Sequence, residues 1–240
     1  MRIFLLGLIL SAVAACTPKS QLDSAQAQRL PLILAPSLET SRAQLQQSVD
    51  SAREIVRAFA EENGWQAYTR DEFMDSVMIL DDKLMFNQTL LKLLQEDTTT
   101  ALPETYCAAL EKRVLITMSP AFYAQVYPEG KEAHSFSMLL AHEMAHRLHI
   151  RILGGNEEAM GPIWFFEGFA IYAAGQLTYV DMSLTNEELI QIIKDPDRGS
   201  YVNYSVLFHR LAALIPVGEL VQRAGQPGFN DEMILALRSK

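Results

Sequence analysis

The chain is poor in cysteine, in histidine and in positive charge, and no apolar run in it is long enough to cross a bilayer as a helix. Cys16 and Cys107 are the two cysteines among 240 residues, so this is no disulfide-stapled scaffold and its stability must come from a core. Lys and Arg number 20 against 29 Asp and Glu, a formal charge of −9. That balance lacks the basic stripe that phosphate backbones require, so no nucleic-acid partner is expected. No internal repeat is present. What the chain does have is apolar content, 49% of its residues, enough for one well-packed domain. The histidines number five, and three of them, His142, His146 and His149, fall within eight residues of one another.

The first residues read as a targeting segment. Arg2 precedes an apolar stretch over 3–15, and small residues lead up to a cysteine, the design of a signal peptide. Val13-Ala14-Ala15-Cys16 resembles the lipobox of bacterial lipoproteins. The resemblance implies a signal peptide over 1–15, a lipid on Cys16, and a chain held by that lipid on the cell envelope. Thr17 stands where an inner-membrane retention aspartate is often found, which favours the outer membrane, facing the periplasm. With Cys16 lipidated, Cys107 has no disulfide partner and is expected as a small buried residue. Residues 16–38, rich in Gln, Ser, Ala and Pro, read as a tether in which Leu32-Ile33-Leu34 docks on the domain. The domain proper is expected over 39–240.

Apolar residues at three- and four-residue spacing from Leu45 to Ala60 mark an amphipathic helix that stops at Asn63-Gly64. Residues 73–80 suit a strand or a helix, and 84–94 a helix. The β-branched run over 113–120, stopped by Pro120, reads as a strand. A long helix follows over 132–153, closed by Gly154-Gly155. Pro162 then opens another over 163–176. Thr185 and Glu188 form a capping box, and helices continue to the end. The sum is a helix-rich α+β chain.

Inside the long helix stands His142-Glu143-Met144-Ala145-His146, an H-E-x-x-H pattern. Residues four apart share a helix face, so both imidazoles can converge on one metal ion, with Glu143 beside that face to accept a proton. Buried in an apolar helix, such groups need a partner. Zinc doing chemistry takes three protein ligands and keeps a place for water, so a third ligand is needed. His149 is one candidate, but adjacent turns of one helix do not easily wrap three ligands around one ion, and a role in orienting a ligand, lining the cleft or plain packing suits it better. Glu167 is the better one: it is a carboxylate amid "WFFEGFAIY", and without a cation it would be expensive to bury. Gly168 and Ala170 beside it allow a close helix approach.

"HEMAH" followed by "PIWFFEGFAIY" resembles the gluzincin zinc peptidases, particularly the MA-like family with a second motif of the form W-x-x-E-G-x-A-x-Y. The likeness covers about residues 113–175. It implies one zinc held by His142, His146 and Glu167, with Glu143 as catalytic base. It also implies a zincin-like fold, a small mixed sheet over the motif helix and a helical C-terminal part. The 113–120 strand would be the sheet edge along which an extended peptide substrate lies. Gluzincins often carry an acid four residues after the ligand glutamate to orient a zinc histidine. Ile171 stands there, so the orienting acid must come from elsewhere or give way to a backbone carbonyl. The family also uses a downstream tyrosine or histidine on the oxyanion. Tyr201, Tyr204 and His209 are the candidates, the tyrosines fitting best, and each also suits the polar margin of an amphipathic helix. The implied activity is that of a membrane-anchored zinc metallopeptidase. The alternative is a non-catalytic envelope lipoprotein that uses the same scaffold for binding or assembly.

Overall fold

A computed structural model describes residues 30–70, 73–128, 132–181, 183–197 and 199–239. The expected signal peptide over 1–15, Cys16 and the expected tether up to 29 lie outside the described residues. Four strands, β1 (Leu32–Leu34), β2 (Ser76–Leu80), β3 (Ala108–Glu111) and β4 (Val114–Met118), form one mixed sheet in the order β1-β2-β4-β3. β1, β2 and β4 run parallel and β3 is antiparallel to β4. Nine helices accompany them among the described residues: α1 (Arg42–Glu62), α2 (Lys83–Leu94), α3 (Pro120–Val126), α4 (Ser135–Ile152), α5 (Ile163–Ala174), α6 (Asn186–Lys194), α7 (Tyr201–Ala212), α8 (Val217–Arg223) and α9 (Phe229–Arg238). The chain is therefore α+β and helix-rich.

Local chemistry accounts for most of these elements. α1 buries the stripe Leu45, Val49, Ala52, Val56, Phe59 and Ala60, and Gly64 leaves it at φ +74°. Asp82 caps α2 by accepting from the Met85 amide at 2.7 Å, and Thr185 with Glu188 forms the capping box expected on α6. β2 is apolar on both faces, as a parallel strand covered from both sides must be.

Three expectations need correction. Leu32–Leu34, placed in the tether, is β1, a sheet strand paired with Val77–Ile79, so the folded part begins before residue 39. The strand within 113–120 is not the sheet edge, because β3 pairs along its outer side and takes that place. β3 carries no sequence signal: it has four residues, and its two-residue hairpin turn is Lys112-Arg113, with Lys112 at φ +56° and no glycine or asparagine. The helix read through 176 ends at Ala174, where Gly175 takes φ +67°.

α4 is the axis of the domain. It packs against α1 on one side, α5 on another, and β3 and β4 on the sheet side, so it is buried nearly all round. α5 in turn carries α7. A Cβ on Gly168 would stand 3.0 Å from the Phe208 Cβ and 3.1 Å from the Tyr204 carbonyl, which explains why a glycine is needed at this contact. Phe59, Phe165, Phe169 and Phe208 fill the space between α1, α4, α5 and α7. No single described helix is long and apolar enough to cross a membrane.

Candidate metal centre

His142 and His146 leave α4 one turn apart, and Glu167 comes from α5 after the chain reverses through Gly154, Gly155 and Gly161, all at positive φ. The three side chains meet. His142 Nε2 lies 3.1 Å from His146 Nε2 and 3.2 Å from Glu167 Oε2, and His146 Nε2 lies 3.6 Å from the same oxygen. Glu167 and His142 are buried, and His146 is partly open.

The electrostatics are those of a site built for positive charge. Burial alone would raise the Glu167 pKa, yet hydrogen bonds and charge from His142 and His146 hold it well below the usual carboxylate range. Burial also disfavours charge on His142, but Glu167, then Glu143 and Gln176, reverse that and raise its pKa. Two imidazole nitrogens and a carboxylate oxygen converging at these separations can hold a metal ion.

Glu143, half-buried, faces a cavity of about 340 Å³ beside this cluster. Cys107, Ala108, Tyr123, Leu139, Ile171 and Tyr201 line it as well, so its wall is mostly apolar. The Cys107 thiol is pushed up to about 12 by burial and then by the negative charge of Glu143, which keeps it protonated.

The downstream candidates separate clearly. Tyr201 lines the cavity, with its ring centroid 6.0 Å from that of His142. Tyr204 is buried and its hydroxyl accepts from the Gly199 amide, which turns it away from the cavity that Tyr201 lines. His209 donates from Nδ1 to the Ser205 carbonyl at 2.8 Å, and its ring packs on Tyr172. His149 is not brought to the cluster. It is fully buried, its ring 4.6 Å from that of Phe169, and neither ring nitrogen has a hydrogen-bond partner among the described residues.

One residue of the site escaped sequence reasoning. Gln176 places Oε1 2.9 Å from His142 Nδ1, across 34 residues of chain. Its signal was Gly175, a helix-ending glycine one residue earlier. The chain matches no known protein family, no curated protein and no solved structure.

Proposed function

We propose that this chain is a zinc-dependent peptidase of the gluzincin type, with a zincin-like fold and a lipid anchor on Cys16 that holds it at the bacterial outer membrane, facing the periplasm. The observation that carries the reading is the meeting of His142, His146 and Glu167 from two helices, with Glu143 beside them on an open cavity. The three donor separations of 3.1, 3.2 and 3.6 Å let one ion be shared, and two imidazoles with one carboxylate are a donor set that catalytic zinc takes.

Zinc held there would supply Lewis acidity and make water a nucleophile near neutral pH. Glu143 is the base that takes the proton from the attacking water and hands it to the leaving amine. Tyr201, which lines the cavity, is the candidate donor for the charge that develops on the scissile carbonyl oxygen. The apolar cavity receives a side chain of the substrate. β3, an edge strand of the sheet beside the cavity, is where an extended peptide would lie.

The test is turnover of a mixed peptide library by the zinc-loaded full-length protein in detergent. Cleavage that stops on chelation, and falls by about two to four orders of magnitude in Glu143→Gln with zinc still bound, is the expected result. Undiminished cleavage by zinc-loaded Glu143→Gln contradicts the mechanism. A zinc-loaded wild type that captures peptides without cleaving any supports the non-catalytic alternative.

A further inference from the structure

The end of α5 is built in an unusual way, and the departure points at His142. Gly175 donates to the Tyr172 carbonyl at 3.2 Å and Gln176 to the Ile171 carbonyl at 3.0 Å. These two bonds define the Schellman ending of a helix, in which the residue after the glycine normally sets an apolar side chain against the residue that accepts its amide. Here that residue is Gln176. It is buried, and its side-chain oxygen meets His142 Nδ1 instead.

We infer that Gln176 is the positioning residue for His142: its carbonyl oxygen accepts the Nδ1 proton, fixes the plane of the ring, and turns Nε2 toward Glu167, where a metal ion would sit. The inference rests on the metal reading of His142. An imidazole that gives Nε2 to a metal keeps its proton on Nδ1, and the acceptor there sets the plane of the ring. Gln176 replaces the orienting acid that Ile171 cannot provide. Ile171 is the residue whose carbonyl receives the Gln176 amide, so the acceptor has moved from the last turn of the helix to its cap.

The surrounding backbone holds Gln176 in place. Gly175 lies at φ +67° and Leu177 at φ +58°, so the glutamine stands between two left-handed residues. Leu177 is not a glycine and its side chain is buried, so this is a conformation that the surroundings must impose. Glu132 imposes it. Its carboxylate accepts from the Leu177 amide at 2.5 Å, while its own carbonyl accepts from the Ser135 amide at the start of α4. One residue thus ties the beginning of the helix that carries His142 to the segment that orients it.

An amide acceptor is neutral. It orients the imidazole without making it as basic as a carboxylate would, so Gln176→Glu should hold zinc at least as tightly as wild type. Gln176→Leu, of similar size and without an acceptor, should lose about 10- to 100-fold in zinc affinity. Glu132→Ala should show a smaller loss in the same direction. Zinc affinity is read by chelator competition, beside the melting temperature of the metal-free proteins. The His142 Nδ1 proton is read by NMR of the metal-free chain, where wild type should show it hydrogen-bonded and slow to exchange and Gln176→Leu should not. Wild-type zinc affinity in a folded Gln176→Leu overturns the inference, as does weaker binding by Gln176→Glu, which also decides should the leucine variant not fold. If wild type binds no zinc at all, the metal reading fails. The Nδ1 hydrogen bond then decides alone: its loss in Gln176→Leu upholds the contact's role, and an Nδ1 proton that exchanges freely in wild type, or as slowly in the variant, overturns it.

Discussion

His142 and His149 stand on one helix, two turns apart, both buried, and their surroundings oppose each other. His142 has Glu167 on one nitrogen and Gln176 on the other, and its affinity for a proton is raised. His149 has the rings of Phe165 and Phe169, no hydrogen-bond partner among the described residues, and a pKa lowered to about 3 by burial and then by His146. Burial alone makes an imidazole inert. A carboxylate across the helix interface and an oriented acceptor behind it make the same residue a donor poised for a cation.

The largest effect should come from breaking the proposed chemistry on the His142 side: Glu143→Gln would remove the proposed base and leave the donor triangle intact. Next in size is the acid response of His149. Folded, it takes a proton only near pH 3, whereas unfolded it does so near 6.5. Between those values the unfolded chain binds more protons, so stability falls as pH falls, by up to about 1.4 kcal/mol per pH unit from this group. His149→Leu should flatten that part of the curve. The measurement is urea unfolding of both metal-free proteins at several pH values, and equal slopes would refute the assignment. At neutral pH the same substitution should stabilise the fold by about 1–3 kcal/mol, since it removes a buried polar group that has no hydrogen-bond partner among the described residues. A destabilised His149→Leu would mean that the ring's packing on Phe169 outweighs the unmade hydrogen bonds. The smallest effect concerns Cys107. Its thiol should react with alkylating reagents at pH 8 far more slowly than an exposed cysteine, and rapid reaction would show the cavity wall to be more open than this structure has it.

The contrast between the two histidines also marks what the sequence could show. Spacing put His142 and His146 on one face, and Glu167 stood out because a carboxylate inside an apolar helix needs a reason. The buried stripe of α1 and the capping box of α6 were readable for the same cause: each is a local pattern whose chemistry is complete within a few turns. β1 and β3 were not readable, being three and four residues long, and the turn between β3 and β4 lacks the residues that usually announce one. Misplacing the sheet edge followed from that. Gln176 was missed because its partner is 34 residues away and because the helix was read through Gly175, the residue that turns the glutamine back on His142. Tyr201 and Tyr204 could not be told apart by spacing. The Gly199 amide, at the foot of α7, makes the difference.

The metal content of the purified protein and of its Glu167→Ala variant, after dialysis, decides whether this is a zinc site. About one zinc per chain is expected in the wild type and little or none in the variant, with both folded. A folded wild type that takes up no zinc on reconstitution, or a Glu167→Ala that keeps it as tightly, would contradict the zinc reading.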